Sequence, residues 1–403
     1  MSLDLHALLA ARRPGWSLPQ PFYTSPEIHA LDLARIYRRE WLYAGPECRI
    51  PKPGDFFTFE LGPDSLIVMR GEDGRVRAHF NVCRHRGSRI CLEHSGHARK
   101  LVCPYHQWIY NPDGSLHEAR NMGAGFDPAG FALRQSHART VAGLIFVNFS
   151  EAPADFDAFA RDVAAYLEPH EFASARIAHA QTYQVQSNWK LLVENSRECY
   201  HCPVGHPEYT QIMYGKNPED AAARMNTYNA CGLPTRRVVG PSYHVSRYPT
   251  ARREYPSQSL DGRQIAPLMG CIKDPDAGVL GLVSFPNLMF LACGDHAVSF
   301  RFNAVDAMRT DVEALWLVRG DAVEGRDYSK EHLLGFWKAT GEEDWILCEN
   351  NQAGVNSSRY EPGPYGEEES DLQRFVDWYL QEIQRPEPAP RCQSHPSAAA
   401  AGA

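Results

Sequence analysis

The chain has 403 residues, 43% of them hydrophobic and 22% charged, with a formal net charge of −8. That is globular composition, long enough for two domains, and the negative balance argues against nucleic acid as the main partner. The 11 cysteines, an odd number without a secretion signal, read as reduced thiols of a cytoplasmic protein, and no apolar run reaches the length of a membrane span.

In chain order, Met1 to Leu18 carries a short Leu/Ala helical pattern ended by Arg12-Arg13-Pro14. Residues 26–46 predict a helix, with Ser25 suited to cap it and Pro26 to open it. From Gly54 to Asn81 the period drops to that of strands. Phe57, Phe59 and Leu61 alternate, then Leu66 and Val68 run into the turn Glu72-Asp73-Gly74.

Two clusters follow, Cys83-Arg84-His85 and Cys103-Pro104-Tyr105-His106. They offer two thiolates to one iron and two imidazoles to another, which is the ligand set of a Rieske 2Fe–2S centre. Zinc sites of the Cys2His2 type pair their cysteines with each other, whereas each cysteine here is coupled to a histidine. Arg86-Gly87 and Pro104 suit tight loops whose backbone N–H groups point at sulfur. The turn Asn111-Pro112-Asp113-Gly114 and the buried strand Leu144–Val147 complete a β-rich unit.

Residues 155–168 predict a helix through Phe156, Phe159, Val163, Tyr166 and Leu167. Thr182–Gln186 reads as a strand, and Trp189–Tyr200 as a helix stopped by Pro203. Strand-like runs occupy Leu280–Val283, Leu288–Leu291 and Val298–Phe302. Helices are expected at Lys330–Phe336, about Glu342–Gly354 and about Asp371–Ile383, before a Pro- and Ala-rich disordered tail. The divisions drawn from this are 1–39 (helical segment), 40–165 (cluster domain), 166–385 (catalytic domain) and 386–403 (tail).

His201 and His206 flank Pro203, so the second histidine sits on a turn and can swing back to the first. Two histidines and one carboxylate make the facial triad of non-haem Fe(II) oxygenases. The carboxylate is expected in Glu342-Glu343-Asp344-Trp345, with Asp344 preferred and Glu343 its rival, since sequence does not set the rotation of that turn. Cys199 and Cys202 read as small buried apolar residues. Gly123-Ala124-Gly125 lacks the third glycine and the βαβ setting of a dinucleotide loop.

Taken together, Cys83-x-His85-Arg86-Gly87, Cys103-Pro104-Tyr105-His106-x-Trp108 and Glu198-x-x-His201-x-x-x-x-His206 resemble the α subunit of Rieske non-haem iron oxygenases over about residues 20 to 385. The stretch from Glu343 to Ser357, with Tyr360-x-Pro362-Gly363-Pro364-Tyr365, is similar to the branch that N-demethylates glycine betaine and proline betaine. The resemblance implies an α+β fold, with a β-rich Rieske domain and a helix-grip-like catalytic domain whose antiparallel sheet is covered by helices. It implies a 2Fe–2S cluster, a mononuclear Fe(II), O2 as co-substrate, and NAD(P)H electrons delivered by a separate flavin- or ferredoxin-type reductase. It also implies a homotrimer in which Glu198 links His106 of one subunit to His201 of the next.

The substrate residues are expected among Tyr209, Tyr214, Phe285, Phe290 and Trp345, as an aromatic cage for a quaternary ammonium, with Arg197 or Arg301 available to a carboxylate. Two other readings stand beside this one: an aromatic-ring hydroxylating oxygenase, and a Rieske electron carrier without catalytic iron.

Overall fold

The computed structural model describes residues 4–215, 223–226, 228 and 232–386, so the tail expected beyond 386 lies outside the described residues. Ser25 caps the first substantial helix, its hydroxyl accepting from the Glu27 and Ile28 amides, but Pro26–Asp32 and the π-turn Leu33–Tyr37 end well short of residue 46. Leu42–Pro46 is strand β1 instead. All five of its residues are buried and it pairs with a later strand, so sheet pairing overrides the local helical pattern.

The first antiparallel sheet is built from β1, β2 (Asp55–Leu61), β3 (Asp64–Arg70), β4 (Val76–Phe80), β5 (Ser95–His97), β9 (Gln135–Val141) and β10 (Leu144–Asn148), in the order β1-β10-β9-β4-β3-β2-β5. Beside it a small sheet of β6 (Leu101–Val102), β7 (Ile109–Tyr110) and β8 (Leu116–Glu118) makes a lobe packed around Cys83, Cys103, Trp108 and Tyr110.

The second sheet is also antiparallel, in the order β11-β17-β16-β15-β14-β13-β12. Its strands are β11 (Arg176–Val185), β12 (Val238–Val239), β13 (Tyr243–Tyr248), β14 (Val279–Ser284), β15 (Leu288–Ala292), β16 (His296–Asp306) and β17 (Arg309–Val318). One face packs on the helix Phe156–Leu167 through Phe290, Leu282 and Leu317. The other is covered by Trp189–Asn195, Lys330–Val355 and Ser370–Gln384. Mixed helix and antiparallel sheet is thus the observed class.

The two helices expected at 330–336 and 342–354 form one helix of 26 residues. Gly341 does not break it; an added Cβ there would meet only the Trp345 indole, at 3.5 Å. The helix from Trp189 ends at Asn195 rather than at Tyr200, and the segment after it turns irregularly to reach the two histidines. Among the described residues no helix is long and apolar enough to cross a membrane.

A fully buried network ties the chain ends to this region. Asp32 accepts from Trp189 Nε1 at 2.9 Å, from the Tyr379 hydroxyl at 2.8 Å, and from Lys190 Nζ. Tyr23 donates to Glu194 at 2.9 Å from the same N-terminal segment.

Candidate functional site

The first centre lies at two loop tips of the small lobe. The Gly87 amide donates to Cys83 O and the Gln107 amide to Cys103 O, both at 3.0 Å, so the two loops close with the same turn. Each turn needs a left-handed residue after its histidine cluster: Gly87 has φ +81°, and Gln107 has φ +56° at a cost of roughly 1–2 kcal/mol for a residue with a Cβ.

Cys83 and Cys103 are buried, whereas His85 and His106 are exposed. The two imidazoles face each other through Nδ1 at 3.1 Å, and His85 stacks on Trp108 at 5.0 Å with the rings 9° apart. The Tyr110 hydroxyl lies 3.2 Å from Cys83 Sγ and accepts the Arg84 amide. Two inward thiols and two outward imidazoles suit a cluster with an inner sulfur-bound and an outer nitrogen-bound iron.

The second centre forms where the turn after Trp189–Asn195 meets the long helix. His201 Nε2 and His206 Nε2 are 3.1 Å apart; Asp344 Oδ1 is 3.0 Å from the second and 3.3 Å from the first. A divalent ion with bonds of about 2.1 Å at right angles places neighbouring ligand atoms about 3.0 Å apart, so the three atoms fit one face of an octahedron. The outer nitrogens are backed by carboxylates: Glu198 Oε1 is 2.5 Å from His201 Nδ1, and Glu343 Oε2 is 2.7 Å from His206 Nδ1. Such partners fix which imidazole nitrogen is free to bind a metal. Asp344 and Glu343, rivals in sequence, reach opposite nitrogens of one ring.

Burial opposes charge on His201, but Asp344 and Glu198 outweigh it and raise its pKa to about 9. Burial likewise works against the Asp344 carboxylate, and the two histidines nonetheless hold its pKa below the usual value. Cys199 and Cys202, expected as small buried apolar residues, are joined in a disulfide around His201, and only Cys202 is buried.

The triad opens on a cavity of about 320 Å³. Tyr209 is the hub of its aromatic wall, with ring centroids 6.3 Å from His206, 6.0 Å from Tyr214 and 6.0 Å from Trp337. Tyr248 extends the wall from β13.

The other aromatic expectations fall elsewhere. Phe285 packs on Phe375 and Trp378 near 5 Å, away from the cavity. Phe290 borders the cavity, but its ring stacks edge-on against Phe172 on the opposite sheet face, because alternate residues of β15 point opposite ways. Trp345, one position past Asp344, is turned about 100° round the helix onto Phe300 and Tyr183. Arg301 is held by Glu313 against the first sheet, whereas Arg197 lines the cavity.

Trp337, Thr340, Tyr248 and His244 line the cavity without having been expected. For the first two a signal existed: Trp337, Thr340 and Asp344 stand at i, i+3 and i+7, one face of a helix.

Comparison with known proteins adds to this geometry. Residues 172–385 match the family model "Ring hydroxylating alpha subunit (catalytic domain)", and residues 40–136 match "Rieske [2Fe-2S] domain". The chain is 38% identical over 391 residues to a glycine betaine monooxygenase oxygenase subunit of Pseudomonas aeruginosa, covering 93% of this chain and 91% of the relative. It is 34% identical over 207 residues to a benzene 1,2-dioxygenase α subunit of Pseudomonas putida, covering 49% of this chain and 45% of that one. Among solved structures, the quaternary ammonium Rieske monooxygenase CntA superposes with a TM-score of 0.75 at 21% identity, covering 95% of this chain and 99% of that one.

Proposed function

Because the chain belongs to the Rieske non-haem iron oxygenases, as an α subunit with a Rieske domain and a catalytic domain, we propose that it is the oxygenase of a system that N-demethylates a small quaternary ammonium compound, of the glycine betaine or proline betaine type. The observation that carries this reading is the His201–His206–Asp344 triad opening on a cavity walled by Tyr209, Tyr214, Tyr248 and Trp337. Aromatic faces attract a tetraalkylammonium by roughly 0.5–2 kcal/mol each when water is excluded. The 38% identity to a glycine betaine monooxygenase subunit supports the same substrate class.

Cys83, His85, Cys103 and His106 would hold the cluster, and His201, His206 and Asp344 the catalytic iron. When bound, these groups supply single-electron transfer and dioxygen activation. The chain's own side chains do the rest. Glu198 and Glu343 each keep a proton on an Nδ1 atom, leaving Nε2 free for the metal. The aromatic wall excludes water and turns an N-methyl group toward the triad.

The chain takes its electrons from a separate NAD(P)H-dependent reductase and works as a homotrimer, with His106 of one subunit approaching Glu198 of the next. Exposed apolar side chains support that packing: Val82, Leu92 and Tyr105 in the cluster domain, and Tyr200, Val204 and Ile346 close in sequence to the triad residues. A cytoplasmic location belongs to the same reading.

Feeding glycine betaine or proline betaine to the oxygenase with a reductase, and measuring formaldehyde, tests the proposal. Release from either is expected. No formaldehyde from both, with turnover of an aromatic acid, would replace it by ring hydroxylation. Iron near two rather than about three atoms per chain would leave only an electron carrier.

A further inference from the structure

The cavity has a second kind of wall, opposite in chemistry to its aromatic one. Arg197 lies in the turn that carries Glu198 and His201, and the residue is 8% exposed. A guanidinium buried to that degree normally has a carboxylate partner. Among the described residues Arg197 has none within ion-pair distance. Its one side-chain hydrogen bond runs from Nε to Ser196 Oγ at 3.3 Å, which leaves both terminal nitrogens without a bonded partner.

The neighbouring charges are already committed. Arg237 is paired with Asp371 at 2.5 Å. Arg374 donates to the carbonyls of Gly240 and Tyr243 at 2.9 and 2.7 Å. His244 also lines the cavity, and burial together with Arg197, Arg237 and Arg374 pushes its pKa down to about 2, so it is neutral. Of the acids that line the cavity on this side, Asp371 is occupied by Arg237 and Glu368 stands exposed at the rim. Burial lowers the Arg197 pKa to about 9, against the attraction of Asp371, so a bound anion would stabilise its charge.

We propose that Arg197 is a specificity-determining residue that binds the carboxylate of the substrate, while Tyr209, Tyr214, Tyr248 and Trp337 hold its ammonium group. The inference rests on the demethylation reading and narrows it. The substrate is a zwitterion carrying both a quaternary nitrogen and a carboxylate, and amino alcohols such as choline are excluded by the missing anion. The planar fork of the guanidinium matches a carboxylate through two parallel N–H donors, and an alcohol at that end would leave the cation buried without a counter-charge. Tyr248 joins the two walls: it lies close enough to both Arg197 and Tyr214 for their charges to act on its hydroxyl.

Equilibrium binding to the metal-loaded oxygenase tests this with three probes. Glycine betaine carries both charges, 3,3-dimethylbutanoate keeps its shape and carboxylate without the cation, and choline keeps the cation without the carboxylate. In Arg197→Gln the Kd of both carboxylates is expected to rise about 30-fold or more, and that of choline to change by less than about threefold. Arg197→Lys should recover part of the carboxylate affinity and none of the bidentate advantage. An unchanged Rieske visible spectrum and iron content show that the variant is folded and loaded.

Equal weakening of all three probes would make Arg197 a scaffold residue and overturn the inference. So would unchanged carboxylate binding in the variant, or failure of the wild type to bind either carboxylate. Formaldehyde release by the wild type reports separately on demethylation. Unselective loss in a working demethylase sinks only the anchor, and carboxylate-selective loss without formaldehyde from the wild type sinks only the demethylation.

Discussion

Asp344 and Glu343 approach opposite nitrogens of the same imidazole, and that difference is measurable. Asp344→Asn should strip the mononuclear iron while leaving the cluster spectrum intact. Glu343→Gln should retain iron but bind it about 10–100-fold more weakly, the usual effect of removing a carboxylate that orients a ligating histidine. Iron titration of the two apoproteins checks this; equal retention in both would reverse the assignment. At this scale the sequence was most legible where residue types are chemically rare and tightly spaced, as in Cys83-x-His85 and His201 to His206. It was least legible for the cavity wall. Whether Phe290 or Met289 faces the long helix depends on the face of β15 that meets it, and Trp345 misses the site by one helical position. Arg197 and Arg301 looked equivalent as letters. Only the position of Glu313, which pairs with Arg301 across β16 and β17, separates them.

The Trp189–Asn195 helix carries its burden on one short span: three residues after its end Glu198 backs His201, while its own Glu194 is buried. Burial raises the Glu194 pKa to about 8, with the Tyr23 hydroxyl and Lys190 pulling the other way. The folded state therefore binds a proton that the unfolded chain releases nearer its ordinary value of 4.5. Stability contributed by this group is present at low pH and lost as pH rises through the window from 4.5 to about 8. Glu194→Gln should flatten that loss, so that melting temperatures of variant and wild type diverge between pH 5 and 9 in the variant's favour. Parallel curves would show that Glu194 ionises normally. An element boundary was legible where a cap announces it: Ser25 accepts the first-turn amides of its helix. Boundaries were illegible where tertiary contact decides. Leu42–Pro46 becomes a strand because β10 lies alongside.

Across the whole molecule, the two sheets and their covering helices were legible as alternating and helical periods, but the joining of the chain's ends was not. Nothing in the spacing of Asp32, Trp189, Lys190 and Tyr379 announces that they meet in one buried network. Asp32→Asn leaves the Lys190 ammonium without its counter-charge at a site with no solvent access, and should destabilise the protein by about 3–5 kcal/mol. Urea unfolding measures this, and a loss under about 1 kcal/mol would mean that the network contributes little. The same network carries a consequence for biosynthesis. Tyr379 stands 347 residues after Asp32 and donates to it, while Asp32 accepts from Trp189 and Lys190 at the start of the helix that leads into the triad. The β-rich first half can acquire its shape while synthesis continues, because its pairings close early. The support of the mononuclear site is less local: the network under its helix is completed only by Tyr379 of the Ser370–Gln384 helix.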